Sequence, residues 1–389
     1  MAELDPLDLL DLDGELTGEE RDIRDVVRQF ASDRVAPNVA EWFEEGTFPG
    51  RELAKELGEL NVLGMQLDGY GCAGTNAISY GLACRELEAV DGGIRSFTSV
   101  QGSLVMFPIR TYGSEEQREE WLPRLASGDA VGCFGLTEPD HGSDPRGMIT
   151  SARRDGSDWV LNGSKMWITN GGIADVAIIW AKTDEGVNGF LVPTDTLGFE
   201  ARDIHRKLSM RASVTSELSL EDVRLPADAI LPEARGLKAA LSCLAEARFG
   251  IVWATVGSAR SCFETALEYS KTRVQFGKPI GGFQLTQRKL ADMAVEISKA
   301  MLLALRLGRL KDEGRLTTQQ VSIGKLNNVR EALTIAREAR TILGASGISS
   351  EYPIMRHMAN LESVLTYEGT SEIHTLIIGE ALTGLRAYS

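Results

Sequence analysis

One carboxylate stands apart. In Leu365-Thr-Tyr-Glu-Gly-Thr-Ser-Glu372, Glu368 precedes a Gly and two hydroxyl residues in a stretch that reads as a loop leading into a helix. A carboxylate in such a place can serve as a general base if burial lifts its pKa toward the working pH; read alone, such a residue is more often a solvated loop carboxylate. Two further segments join Gly, hydroxyl and aromatic residues in a way that a plain core does not require. In Cys133-Phe-Gly-Leu-Thr-Glu-Pro-Asp-His-Gly-Ser-Asp144, Thr137, Ser143 and backbone amides can donate to phosphate or ring oxygens, while Phe134 and Leu136 can flank a flat cofactor. Met166-Trp-Ile-Thr-Asn170 sets an aromatic side chain and a hydroxyl at the end of a strand. Other chemistries lack their residues. The four histidines, His141, His205, His357 and His374, stand at no metal-ligand spacing from Cys or Glu, so no metal is expected. The marks of Ser hydrolases, P-loop NTPases and Rossmann enzymes are absent from the sequence.

The elements that must position these residues fall into three blocks. Thr17-Gly-Glu-Glu20 fits a capping box, and Ile23, Val26, Val27 and Phe30 follow at helical spacing until Pro37. Residues 51–60 and 77–90 are similarly periodic, with a glycine-rich break at 69–74, and Ser114–Gln117 opens a helix ending near Gly128. From Gly132 strand signals dominate. Trp159–Leu161, then Asn162–Gly163, then Met166–Ile168 predicts a hairpin with a two-residue turn, and residues 176–180, 189–192 and 216–220 are further short strands. After Leu237 helical patterns return: Leu290, Ala294, Ile297, Met301 and Leu305 form one apolar stripe, read as core, and residues 317–343 and 372–385 are patterned too. Helices, strands and helices in that order predict a mainly α protein with an inserted β domain, divided at 1–131, 132–236 and 237–389.

Composition bounds the partners. With 389 residues, 43% hydrophobic and 25% charged, the chain reads as multi-part and globular. A net charge of −15 excludes nucleic acid as a partner, because phosphate binding needs clustered Lys and Arg; it does not exclude a phosphate-bearing ligand held by a few local cations. Five cysteines, none in a CxxC pair, predict reduced thiols. The acidic start is unlike a targeting segment and no uninterrupted apolar run reaches about 20 residues, so the chain is expected to be cytoplasmic and without membrane insertion.

The segments FGLTEPDHGSD, WITN, RVQFGKPIGGFQ and TYEGTSEI, in this order and spacing, resemble the flavin and catalytic motifs of the acyl-CoA dehydrogenase family; the likeness runs from Leu16 to Tyr388. It implies that family's fold: an N-terminal helical domain, a middle β-barrel-like domain and a C-terminal four-helix bundle, with FAD between the last two. By the same likeness Phe134, Leu136, Thr137 and Ser143 line flavin and substrate, and Trp167, Ile168 and Thr169 cover the isoalloxazine. Arg273, Phe276, Gln284, Thr341, Leu343, Gly344 and Ala345 would reach the FAD of a neighbouring subunit in a homotetramer. Thr370 joins the cofactor set, and Glu368 takes the place of the base that removes an α-proton while a hydride leaves the β-carbon. Glu86-Leu-Glu-Ala-Val-Asp-Gly-Gly-Ile-Arg-Ser96 resembles the glutaryl-CoA group within the family. There the Arg, here Arg95, meets the substrate's distal carboxylate beside Glu88 and Ser96, with Ser143, Arg248, Tyr367 and Gly369 completing the substrate set. Tyr367 before the base implies oxidative decarboxylation of glutaryl-CoA to crotonyl-CoA, with electron-transferring flavoprotein as acceptor. Open alternatives are dehydrogenation of another short or branched acyl-CoA, an oxidase, and a non-catalytic scaffold. Asp140–His141, Ala245–Ala247 and Phe249 depart from the family pattern.

Overall fold

The computed structural model describes residues 5–387, so Tyr388, where the resemblance ends, lies outside the described residues. Thr17 caps α1 (Gly18–Phe30) through the full capping box: its hydroxyl accepts from Glu20 N at 3.2 Å, and the Glu20 carboxylate accepts from Thr17 N at 2.8 Å. α2 (Val39–Glu45) and α3 (Gly50–Glu59) follow, and the glycine-rich break forms a two-residue ladder of β1 (Asp68–Gly69) and β2 (Cys72–Ala73). α4 (Ala77–Val90) is buried along most of its length. Asp91 then caps α5 (Gly92–Ser99), accepting from Gly93 N at 2.6 Å, and the helix continues through a π-helical stretch, Val100–Met106, into α6 (Phe107–Tyr112). Every residue from Gly92 to Met106 is buried, so no polar face marks the helical period in the sequence. α7 (Glu115–Ala126) opens on a second capping box, Ser114 with Gln117.

The middle block is one sheet. Its strands are β3 (Gly132–Gly135), β4 (Ser151–Asp155), β5 (Asp158–Thr169), β6 (Val176–Thr183), β7 (Gly186–Pro193), β8 (Phe199–Asp203), β9 (Thr215–Leu225) and β10 (Ile230–Arg235). They run in the order β10-β7-β6-β4-β5-β9-β8, with β3 parallel to β6. The expected turn at Asn162–Gly163 does not form: β5 is continuous, and the hairpin turn lies earlier, where Asp155 of β4 pairs with Asp158. Two local contacts explain this. Asn162 exchanges hydrogen bonds with Asp222 beside it (3.0 and 2.9 Å), and Gly163 sits so close to Thr150 that a Cβ would lie 2.5 Å from its hydroxyl. The Asn-Gly pair thus makes an irregularity in the β5–β9 register rather than a reversal.

The last block is helical. α8 (Leu237–Thr272) leads through a ladder of β11 (Val274–Gln275) and β12 (Lys278–Pro279) into α9 (Gln284–Asp312), α10 (Thr318–Leu343), α11 (Ile354–Thr366) and α12 (Ser371–Thr383). The stripe on α9 faces the core, with Met301 and Leu305 buried and Leu290, Ala294 and Ile297 packed against it. α8 has the length and hydropathy of a membrane-crossing helix, yet 78% of that window is buried inside the fold, as the central helix of a bundle should be.

Candidate active site

Four elements meet around a cavity of about 1700 Å³: the ends of β3 and β5, the first third of α8, and the turn between α11 and α12. Of the residues expected in the site, Ser96, Phe134, Leu136, Thr137, Ser143, Trp167, Ile168, Thr169, Arg248, Tyr367, Glu368, Gly369 and Thr370 line it.

The sheet supplies one wall. A register shift between Lys165 and Ile168 twists β5, leaving Trp167 at a positive φ of 63° and 59% exposed on the cavity, while the Ile168 side chain turns into the sheet core. Behind this wall lies a buried pair that sequence reasoning missed. Lys165 Nζ meets Glu138 Oε1 at 2.9 Å and donates to Leu136 O at 3.1 Å, so it fixes the chain where β3 runs into the Leu136–Thr137 wall. Burial drives Lys165 down to about 8 despite Glu138; Glu138 resists its own burial through Thr150, Ile149 and Lys165 and stays near 2. The unusual Asp140–His141 pair closes a tight turn, Glu138 and His141 exchanging backbone hydrogen bonds at 3.2 Å, and His141 packs on Gly147 outside the lining.

Glu368, the expected base, lies on the other side. Glu368 occupies the left-handed region at φ 54°, followed by Gly369 at 97°. Its Oε2 is buried without a hydrogen-bond partner. Burial raises its pKa above the ordinary carboxylate value, and Lys325, Arg95 and Arg248 pull it part of the way back. The three successive carbonyls of the turn are all held: Arg248 Nε donates to Glu368 O at 2.6 Å, and Lys325 Nζ donates to Tyr367 O and, at 2.6 Å, to Gly369 O. Arg248, expected at the substrate, is therefore engaged with the backbone of Glu368. Thr370, expected at the cofactor, caps α12 by accepting from Ile373 N. Phe249, where the family pattern has a hydroxyl, is fully buried under Lys311, which pairs with Glu246 at 2.6 Å.

Arg95 stands behind Tyr367. Its side chain is 1% exposed; Nε meets Glu88 Oε2 at 2.6 Å, Nη2 donates to the Tyr367 hydroxyl, and Nη1 is buried with no partner. Ser258 Oγ donates to the other Glu88 oxygen at 3.2 Å. The guanidinium is thus both paired with Glu88 and left one donor short.

The remaining expected residues stand elsewhere. Arg273, Phe276 and Gln284 are exposed around the β11–β12 ladder, and Thr341, Gly344 and Ala345 are exposed at the end of α10. The two groups share one end of the bundle, where Tyr269 reaches Ser346 and Lys289 meets Glu338 at 2.8 Å. Leu343, also expected at the cofactor, is 2% exposed with its side chain in the bundle core, because α10 turns that face toward α8. At 1.5 Å per residue along α8, Arg273 lies about 37 Å from Arg248. These residues do not reach the cavity of their own chain.

Comparison with known proteins agrees with this arrangement. Residues 17–129, 133–223 and 234–383 match the N-terminal, middle and C-terminal domains of acyl-CoA dehydrogenase. The structure of a Mycobacterium smegmatis glutaryl-CoA dehydrogenase in complex with FADH2 superposes with a TM-score of 0.97 at 66% identity, covering 99% of each chain. Megasphaera elsdenii butyryl-CoA dehydrogenase gives 0.91 at 37% identity over 94% of this chain and 98% of that one. The human mitochondrial short-chain specific acyl-CoA dehydrogenase is 38% identical over 93% of this chain and 89% of its own length. The chain belongs to the acyl-CoA dehydrogenase family.

Proposed function

We propose that this chain oxidises glutaryl-CoA with FAD and expels carbon dioxide, giving crotonyl-CoA. The observation that carries the substrate is the buried, unpartnered Nη1 of Arg95, next in sequence to cavity-lining Ser96 and joined through Tyr367 to the base's own turn. A buried charged donor without a partner costs more than about 1–3 kcal/mol, and a dicarboxylic thioester whose far carboxylate reaches it removes that penalty. A plain alkyl tail does not.

The cavity fits both a cofactor and a thioester. Its volume exceeds the roughly 300–1,000 Å³ usual for a single small ligand. The open indole of Trp167, the apolar Phe134 and Leu136, and the hydroxyls of Thr137 and Thr169 suit a flat ring with polar edges, such as the FAD isoalloxazine. At the rim Arg146, Arg206 and Lys238 are exposed cations suited to the phosphates of coenzyme A, which reconciles an acidic whole with an anionic ligand.

Bound FAD supplies the acceptor for the hydride that leaves the β-carbon. Glu368 takes the α-proton; its raised pKa makes it a stronger base than a carboxylate in water, and the Glu368 N–H is the chain's donor to the thioester oxygen. The bond to the terminal carboxylate then breaks, its electron pair passing into a dienolate held by the thioester. Protonated Glu368 returns its proton to the γ-carbon. Because Glu88 and Tyr367 already share the Arg95 guanidinium, Arg95 orients the carboxylate through its remaining donor without holding it too strongly to leave. Electron-transferring flavoprotein is the acceptor we assign, and a second copy of the chain, within a homotetramer, brings Arg273 and its neighbours to the cofactor.

Incubating the purified protein with glutaryl-CoA and an artificial electron acceptor, then weighing the products, tests this reading. Crotonyl-CoA and carbon dioxide are expected. Glutaconyl-CoA alone means oxidation without decarboxylation, and an unbleached flavin removes the dehydrogenase assignment for this substrate.

A further inference from the structure

We infer that Lys325, which touches neither thioester nor cofactor, is the positioning residue of the reaction: it holds the base's turn by gripping the carbonyls on both sides of Glu368. This rests on Glu368 being the base. Lys325 lies on α10, 2% exposed, with Nζ donating to Tyr367 O and Gly369 O, residues 42 and 44 positions away. Among the described residues its Nζ makes no ion pair with a carboxylate, so the cation is spent on backbone. That is a costly use of a buried ammonium unless the geometry it fixes matters.

The geometry is demanding. A non-glycine residue at φ 54° costs of order 1–3 kcal/mol unless its surroundings hold it there. A trans peptide points its C=O and N–H in opposite directions, so gripping Tyr367 O turns the Glu368 N–H away from α10. One ammonium therefore fixes both the carboxylate and the amide that the thioester oxygen needs. Lys325 also faces Arg248 from α8, Arg95 from α5 and His374 from α12, and Tyr367 puts its ring 5.7 Å from Nζ. Burial brings Lys325 down to about 7, with Glu368 opposing the fall and Arg248 and Arg95 adding to it. Its charge in turn lowers the pKa of Glu368, so removing it must raise that pKa.

The test is single-turnover flavin reduction by glutaryl-CoA in the holoenzyme, followed across pH for wild type, Lys325→Met, Lys325→Arg and Glu368→Gln. Lys325→Met is expected to slow reduction by about 100-fold, the scale of a 1 Å misplacement at a reacting group. Substrate Kd should change less than about threefold while the apparent pKa of the rate moves up, its cation being gone. Lys325→Arg should restore the wild-type pKa and part of the rate; it carries the test if the Met variant loses its flavin. Wild-type rates in Lys325→Met, equal losses of rate and affinity, or an unmoved pKa in Lys325→Met overturn the inference. Undiminished reduction in Glu368→Gln instead overturns the base assignment itself, whatever Lys325 does.

Discussion

Arg95 can be read two ways, and its three nitrogens separate them. A structural arginine would spend all its donors on the fold, whereas here Glu88 and Tyr367 take two and the third stays buried and open. Arg95→Ala should therefore raise KM for glutaryl-CoA by about 100-fold, in line with the 2–5 kcal/mol lost when one partner of a buried charge pair is truncated. Glu88 is left unpaired in that variant, so two substrates are compared within it: KM for butyryl-CoA should change less than about threefold. Equal changes for both would mean that Arg95 serves the fold alone. Tyr367 is coupled to the same charge; burial pushes its hydroxyl well above the usual phenol range although Arg95 pulls it down, so it stays protonated as the base beside it titrates. The pH dependence has a definite sign. As the proposed base, Glu368 must be ionised to act and its pKa is raised, so turnover should climb with pH through an inflection above the ordinary carboxylate value and fall away below it.

At the scale of elements, the site depends on joints between blocks, and Gln101 makes the central one. On the π-helical stretch after α5, its amide nitrogen donates to Leu125 O and Ala130 O at 3.0 and 2.8 Å, while its oxygen accepts from Gly132 N at 2.9 Å. This ties the first helical block to β3, which carries Phe134. Gln101→Leu takes the side-chain partner from Ala130 O and Gly132 N, at about 1–3 kcal/mol each before relaxation, while Leu125 O keeps Gly128 N at 3.4 Å. The apparent Tm of the holoenzyme should drop by several degrees, with flavin released at lower temperature; an unchanged melting curve would show that water replaces the amide. The elements also show what the sequence discloses and what it hides. The capping box at Thr17, the helix start at Ser114, the bounds of α4 and the stripe on α9 were legible because each is a local signal. The helix from Gly92 was not, since burial on all sides removes the period, and the Asn162–Gly163 turn was misread because Asp222 and Thr150, which keep β5 straight, are remote in sequence. Around the cavity, Trp167 and Glu368 in its lining and Arg95 behind Tyr367 were named through motifs. Lys325 and Lys165 were missed because their partners are carbonyls or a carboxylate far along the chain, and a lysine on a helix or a strand carries no mark of such a partner.

The whole molecule is divided along α8. Its first third holds Arg248 against the base, and its last turn presents Arg273 about 37 Å away at 1.5 Å per residue. The exposed residues around Arg273, with Phe276 at 94% exposure, cannot serve their own cavity, so if they contact FAD they do so in a neighbouring copy. That division makes a complementation test possible. Arg273→Ala should weaken FAD binding about tenfold, the effect of losing roughly 1.4 kcal/mol at one contact, and Glu368→Gln should retain FAD but not reduce it. Co-expressed in one cell, the two variants should form mixed assemblies under the proposed homotetramer. In some sites an intact Glu368 from the Arg273→Ala chain then faces an intact Arg273 from the Glu368→Gln chain. Activity at limiting FAD should exceed the sum of the separately purified variants, and it should do so only in fractions whose mass is a multiple of the chain's. Activity no greater than that sum would place Arg273 outside the cofactor site and leave each cavity complete within its own chain.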